Sequence, residues 1–170
     1  MDQEETLERL KQGKEAWNTW AERTLKEKAA LEAANQPLDA WRNRSRVDLD
    51  CSNVPVQADL SGFVFPGQSV FRGEFWEGAK FQNAVFNGSA VFRRVRFRTA
   101  ATFANANFKG ETRFCHAVFL GDADFSGCTF VERADFERAK FERTADFNKT
   151  SFDKGAQFSK SVFDTNLIFS

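Results

Sequence analysis

The sequence predicts an all-β solenoid in which short strands wind into stacked four-sided coils behind an α-helical N-terminal segment. Seventeen phenylalanines recur at alternating intervals of five and six residues from Phe81 to Phe169. A small residue stands two positions before nearly every one of these rings. All 21 phenylalanines follow residue 62, whereas three of the four tryptophans precede it, so the chain joins two differently built segments. A fixed internal period is the signature of a repeat architecture.

Residues 1–47 are predicted to form a helical leader. Apolar residues at helical spacing run through its first 21 residues, with Gly13 as a weak point. A second helix is predicted over about 24–35, and a further one over 38–44 after the breaker Pro37. These helices would precede the repeats as a cap.

Trp17 and Trp20 are the predicted contacts of this cap. A stacked solenoid exposes unpaired strand edges and an apolar interior at its ends. The two tryptophans share one helix face, so we expect them to cover the first coil. A role in binding a partner is the alternative for both side chains.

Residues 48–75 are predicted to be an entry segment that contains a first irregular coil. Phe71 and Phe75 are four residues apart, which breaks the alternation of five and six. The pattern therefore leaves open whether Val70 or Phe71 points inward.

Residues 76–170 form the regular repeat, whose period excludes both a single helix and a long strand. A helix needs apolar positions three and four residues apart. A long strand alternates its faces every two residues, whereas this pattern changes parity twice in every eleven. Because each small residue and its ring are two positions apart, both can point inward from one short strand. The polar residues between them then form a corner.

The size of the rings sets the number of units in a coil. Two units enclose a perimeter of roughly 36 Å, too small for backbone walls that need about 10 Å between them. Four units, which together contain 22 residues, give about twice that perimeter. Rings 22 residues apart would then stack into ladders. The predicted structural core consists of Phe81, Phe86, Phe92, Phe97, Phe103, Phe108, Phe114, Phe119, Phe125, Phe130, Phe136, Phe141, Phe147, Phe152, Phe158 and Phe163.

This spacing of small and large apolar residues resembles that of the pentapeptide-repeat proteins. Residues 58–62 read A-D-L-S-G, which is similar to the opening unit of that family. Residues 10–20 follow the pattern L-x-x-G-x-x-x-W-N-x-W, which is similar to a helical leader that often precedes such repeats. The resemblance implies a right-handed quadrilateral β-helix of the pentapeptide-repeat type with an α-helical N-terminal cap, in a bacterial protein. Every second unit here carries one extra residue.

Composition narrows the expected surroundings of the chain. Its formal net charge is zero at pH 7, which predicts no strong long-range field and makes a nucleic acid partner unlikely. The first fifteen residues show no secretory signal, and no stretch approaches the ~20 apolar residues of a membrane span. Three cysteines fit a reducing compartment. We therefore expect a cytoplasmic protein without a membrane span.

Residues that carry chemistry are scarce, so we expect no enzyme, no cofactor and no metal. The single histidine, His116, follows Cys115. A Cys–His dyad requires the two side chains to meet and a third group to orient the base, whereas adjacent residues on a coil diverge. Consecutive ligands also lack the spacing that zinc favours. Phosphate-binding loops, serine elbows and H-E-x-x-H motifs are absent from the sequence.

The candidate binding surface is a cluster of four arginines at outward positions on both sides of Phe97. Such a cluster can contact an acidic protein, acidic lipid or nucleic acid, and the last would also want exposed aromatic side chains. The alternative is a solvated face whose charge is balanced by acids on adjacent coils. The arginines are Arg93, Arg94, Arg96 and Arg98, and the outward apolar residues near them are Val118, Leu120 and Val162.

The sequence favours a non-catalytic protein-binding or scaffold module that binds an unknown protein partner through its outer wall. The alternative, which comes from the resemblance, is a DNA gyrase or topoisomerase modulator that imitates a duplex with rows of carboxylates. Mixed charges in the outward columns disfavour that mechanism. The repeat continues to Phe169 without a blunting element. We therefore expect a homodimer through the C-terminal coil, or a fragment of a longer protein.

Overall fold

The computed structural model describes residues 2–53 and 59–170. Three helices precede a four-walled solenoid of parallel strands, and the predicted fold class is confirmed. Of the A-D-L-S-G segment, Ala58 lies outside the described residues, and Asp59 bridges to Lys80.

The helices are α1 (Gln3–Lys11), α2 (Lys14–Ala33) and α3 (Asp39–Ser45). Gly13 has a φ of 87°, a value that favours glycine, and it separates α1 from α2. The predicted helix start near residue 24 is wrong, because α2 continues through it. Trp17, Ala21 and Thr24 share one buried face that crosses the predicted boundary, and packing of this face keeps the helix continuous.

The strands form four parallel sheets, which we call the first to fourth walls in the order in which each coil visits them. The first wall contains β2 (Val64–Phe65), β6 (Val85–Phe86), β10 (Asn107–Phe108), β14 (Thr129–Phe130) and β18 (Ser151–Phe152). The second contains β1 (Val47–Asp50), β3 (Ser69–Arg72), β7 (Ala90–Val91), β11 (Thr112–Arg113), β15 (Ala134–Asp135) and β19 (Ala156–Gln157). The third contains β4 (Glu74–Phe75), β8 (Arg96–Phe97), β12 (Val118–Phe119), β16 (Lys140–Phe141) and β20 (Val162–Phe163). The fourth contains β5 (Ala79–Lys80), β9 (Ala101–Thr102), β13 (Ala123–Asp124), β17 (Ala145–Asp146) and β21 (Leu167–Ile168). A short 3-10 helix, Cys51–Asn53, follows β1.

The coil length is 22 residues, as the repeat predicts. Asn107 pairs with Thr129 on the first wall, and Ala123 pairs with Ala145 on the fourth. The first coil is one residue shorter at its start, because Ser69 pairs with Ala90.

The structure also shows which residue of the entry segment points inward. Phe71 is buried and stacks on Phe92 with ring centroids 4.5 Å apart, whereas Val70 is half-buried on the outside. Glu74 already pairs with Arg96, 22 residues later. The missing residue therefore lies between β3 and β4.

Phenylalanine rings fill the interior as continuous ladders. Phe103 stacks on Phe125 at 4.9 Å with parallel planes, and Phe125 stacks on Phe147 at 5.0 Å. Rings from opposite walls meet edge to face, as Phe114 of the second wall and Phe125 of the fourth do at 5.2 Å. Each buried ring contributes about 1.5–3 kcal/mol through burial, and ring geometry adds about 0.5–1.5 kcal/mol per pair.

Three rings of the predicted core are only partly buried: Phe152, Phe158 and Phe163. They lie in the last coil, where the described chain places no further coil over them. The other thirteen rings of that set are buried.

The helical segment packs on the opposite end of the solenoid. The buried indole of Trp17 donates a hydrogen bond from Nε1 to the Val64 carbonyl at 2.8 Å. Its ring lies 5.7 Å from Phe63 and from Phe65, and 5.1 Å from Trp20. Trp17 thus covers rings of the first coil.

Candidate binding surface

Left-handed residues build two of the four corners of the solenoid. In each of these corners the small residue donates its backbone N–H to the carbonyl of the preceding ring residue, as Val95 does to Phe92 at 3.2 Å. The residue before the small one has a positive φ, which is 62° at Arg94. The corner between the second and third walls contains Arg94, His116, Arg138 and Lys160, and the corner between the fourth and first contains Asn83, Asn105, Gly127 and Lys149.

The four candidate arginines divide between this corner and the third wall. Arg93 and Arg94 are exposed at the corner. Among the described residues, no carboxylate lies within ion-pair distance of either side chain. These two arginines therefore offer unneutralised positive charge.

Arg96 and Arg98 share a carboxylate on the third wall. Glu74, one coil earlier, lies 3.4 Å from Arg96 and 2.7 Å from Arg98. The interpretation of a face balanced by acids on adjacent coils therefore describes these two side chains. Exposed ion pairs of this kind contribute about 0–1 kcal/mol each, so their main effect is to fix the orientation of the guanidinium groups.

Trp76 is the residue of this surface that sequence reasoning missed. Its side chain is 60% exposed, and the guanidinium of Arg98 lies 4.6 Å from its ring centroid. Leu120, half-buried, stands one coil beyond Arg98 in the same outward column. In the structure Trp76 immediately follows the inward Phe75, which makes it outward, but the four-residue interval between Phe71 and Phe75 hides this orientation in the sequence. Tryptophan and arginine are the residue types most enriched among binding hot spots.

Of the other outward apolar residues, Val118 is half-buried and Val162 is 48% exposed. They lie on the third wall with one coil between them. Val118 therefore continues the surface of Arg96, while Val162 belongs to the last coil.

Cys115 and His116 occupy different environments. Cys115 lines a groove of about 320 Å³ on the second wall, next to Arg93, Arg113 and Asp135. Burial, followed by the Asp135 carboxylate, raises the pKa of the Cys115 thiol, although Arg93 opposes the shift. A protonated thiol is a poor nucleophile at neutral pH. In the described parts of the chain no hydrogen bond joins Cys115 to His116.

Cys51 and Cys128 are buried free thiols. Burial raises the pKa of Cys128 to about 12 and that of Cys51 further. Both thiols therefore behave as small apolar side chains of the interior.

Acidic side chains on the fourth wall serve the corners of the coils. Asp124 accepts a hydrogen bond from the Ser126 backbone N–H at 2.9 Å, and Asp146 accepts one from Asn148 at 2.8 Å. Their column continues with Thr102 on one side and Ile168 on the other. The acids are therefore local turn caps, and they do not extend into a long carboxylate row.

Within residues 2–53 and 59–170, no group of three or more histidine, cysteine or acidic side chains is placed to hold a metal ion. Over the same residues, none of the helices has both the length and the apolar character that crossing a bilayer requires.

Part of the repeat region matches a known family. The family described as pentapeptide repeats (9 copies) matches residues 74–115, which include the four candidate arginines and Trp76. Comparisons with curated proteins and with solved structures return no match.

Proposed function

Since this chain belongs to the pentapeptide-repeat proteins, we propose that it is a non-catalytic binding or scaffold module that holds a protein partner on the outside of its solenoid. The binding site is the arginine surface, which we define as Arg93, Arg94, Arg96, Arg98 and Trp76. The observation that carries the proposal is the exposed Trp76 ring beneath Arg98, beside two arginines without a carboxylate.

Rigidity of the third wall supports this assignment. The Arg96 backbone N–H donates to the Gly73 carbonyl at 3.1 Å, and that of Arg98 donates to Phe75 at 2.9 Å. The ion pairs to Glu74 further restrict both guanidinium groups. A preorganised surface loses little conformational entropy on binding, so more of its contact energy appears as affinity.

The proposal includes a cytoplasmic location. Three free cysteines, two of them buried, suit a reducing compartment.

Reversal of charge at the exposed corner is expected to abolish partner capture. The variant Arg93→Glu/Arg94→Glu should lower the amount of partner recovered from host extract, after cross-linking and quantitative mass spectrometry, by about tenfold or more. The control Lys109→Glu/Lys149→Glu makes the same change in net charge on the opposite side of the solenoid and should retain capture. Equal recovery with both variants, or equal loss, would contradict the arginine surface.

A supercoiling assay with purified DNA gyrase separates this proposal from topoisomerase modulation. We expect neither inhibition nor protection at micromolar protein. An effect that disappears on replacing Asp124 and Asp146 with asparagine would assign the function to the fourth wall instead.

A homodimer through the last coil is a second part of the proposal. Phe169 is 53% exposed and Leu167 is 41% exposed, beside the partly buried rings of the same coil. An isologous contact between two such ends would cover these rings and pair free strand edges. Sedimentation equilibrium should show a dimer that Leu167→Asp converts to a monomer. Monomeric protein at micromolar concentration would exclude this contact.

A further inference from the structure

The basic corner, which we define as Arg94, His116, Arg138 and Lys160, has left-handed backbone at all four residues. These residues have φ values of 62°, 59°, 55° and 58°. For an L residue other than asparagine, aspartate or histidine, this left-handed region raises the free energy of the fold relative to glycine. Arginine or lysine stands at three of the four positions.

The opposite corner serves as an internal control. It has the same turn and the same sign of φ. Lys149 is its last residue, and the residues before it include Asn83, Asn105 and Gly127. These are the residue types that left-handed geometry favours. Backbone preference therefore accounts for the residues of this corner except Lys149, whereas at the basic corner it accounts only for His116. Strain that persists without a structural reason points to a functional role.

Hydrogen bonds between coils hold the basic corner in register. The backbone N–H of Arg94 donates to the Cys115 carbonyl at 3.1 Å, and that of His116 donates to Glu137 at 2.9 Å. Arg138 donates in the same way to Ser159 at 3.0 Å. The four side chains thus leave the corner at the spacing of stacked coils, ~4.8 Å.

Neighbouring acids neutralise this corner only in part. Arg138 has Glu137 at 3.7 Å. Arg94 and Lys160 are exposed, and among the described residues neither has a carboxylate within ion-pair distance. The adjacent outward column of the third wall alternates Arg96 and Lys140 with Val118 and Val162. Arg96 pairs with Glu74, and Lys140 lies 2.8 Å from Glu142 and 3.4 Å from Asp164. The uncompensated positive charge of the strip therefore lies at Arg94 and Lys160, beside the two apolar positions.

The spacing selects the partner's secondary structure. From Arg94 to Lys160 the corner covers three coil steps, or ~14 Å. Acidic side chains at i, i+3, i+7 and i+10 of an α-helix lie on one face and span ~15 Å. Four alternate side chains of an extended strand span ~20 Å and fall out of step. Apolar residues at i+4 and i+11, on the neighbouring face of the same helix, are ~10 Å apart and match Val118 and Val162, two coils apart.

The geometry points to an acidic amphipathic α-helix of a protein partner, lying along the basic corner parallel to the solenoid axis. Its carboxylates pair with the corner cations, and its apolar side chains pack on Val118 and Val162. This inference rests on the proposed function, since it names the element of the partner that the arginine surface would meet.

Two peptide probes test the inference. One is a stapled helix of about 16 residues with glutamates at i, i+3, i+7 and i+10. The other has the same composition, with alternate glutamates and D-residues that prevent a helix. Fluorescence anisotropy should show that the helical probe binds about tenfold more tightly, with an affinity that falls as salt rises.

Matched variants locate the site of binding. Arg94→Gln/Lys160→Gln should lower the affinity for the helical probe about 5- to 10-fold, whereas Lys109→Gln/Lys149→Gln should leave that affinity unchanged. Equal binding of both probes, or equal loss in both variants, would overturn the inference. Tighter binding of a short DNA duplex or of anionic lipid vesicles at about 150 mM salt would also overturn it.

Arg138→Gly separates strain from function. Removing the side chain from a left-handed position should raise Tm by about 2–4 °C while weakening the helical probe. Unchanged or lower Tm would remove the strain argument. Arg138 lies outside the arginine surface, so the helix inference and the proposed function can fail separately. The helix inference would be rejected if probe affinity were unchanged in both Arg138→Gly and Arg94→Gln/Lys160→Gln. The proposed function would still stand if Arg93→Glu/Arg94→Glu nevertheless lost partner capture.

Discussion

Replacement of Phe125 with alanine is expected to lower the free energy of unfolding by about 3–5 kcal/mol. The ring is buried and stacks between Phe103 at 4.9 Å and Phe147 at 5.0 Å. It also meets the edge of Phe114 at 5.2 Å. Backbone hydrogen bonds between coils hold the walls apart, so the cavity cannot close and its full cost remains.

Urea unfolding at equilibrium measures the effect, and the far end of the same ladder supplies the control. Phe169→Ala removes a ring that is 53% exposed and whose centroid lies 5.1 Å from that of Phe147. This variant should lower the free energy of unfolding by less than about 1.5 kcal/mol. Phe125→Leu should cost less than Phe125→Ala because it leaves a smaller cavity. Similar losses for Phe125→Ala and Phe169→Ala would show that the interior is not close-packed.

The repeat part of the fold is predictable because every unit repeats the same pattern of small and aromatic residues. A ring and a small residue two positions apart demand one short strand, and the size of the rings demands four strands per coil. The β1 strand has no such repetition. Val47 and Leu49 alternate with aspartates, but four residues are too few to distinguish a strand from a linker, and only pairing with β3 reveals it.

The candidate surface was also only partly predictable from the sequence. The outward position of Arg93, Arg94, Arg96 and Arg98 follows from the register of the regular repeat. The pairing of Arg96 and Arg98 with Glu74 does not, because Glu74 follows the short unit, whose length shifts every later residue by one position. Trp76 was missed for the same reason, since its column cannot be assigned until the missing residue is placed.

The left-handed conformation of the corner residues could not be predicted from the sequence either. An asparagine or glycine suggests positive φ, whereas arginine and lysine argue against it. Closure of the turn from Phe92 to Val95 imposes the conformation on Arg94 regardless of its own preference. The fold thus overrides local propensity at the corner where we infer binding.

Replacement of Trp17 with alanine is expected to release the helical cap from the first coil. The buried indole packs on Phe63, Phe65 and Trp20, so its loss should lower the free energy of cap opening by about 3–5 kcal/mol. The Val64 carbonyl also loses its indole donor. Trp17→Phe keeps an aromatic ring but not the N–H, and it should cost less.

Hydrogen exchange measured by mass spectrometry resolves where the effect falls. In a solenoid each coil contacts chiefly its neighbours, so stability is close to a sum of local terms. Amides of α2 and of the first coil should therefore exchange faster in Trp17→Ala, while those from β10 to β17 keep their protection. The control Trp76→Ala removes an exposed tryptophan and should leave the cap protected. Uniformly faster exchange along the whole solenoid would mean that cap and coils unfold as one unit, and unchanged exchange in α2 would mean that Trp17 does not hold the cap.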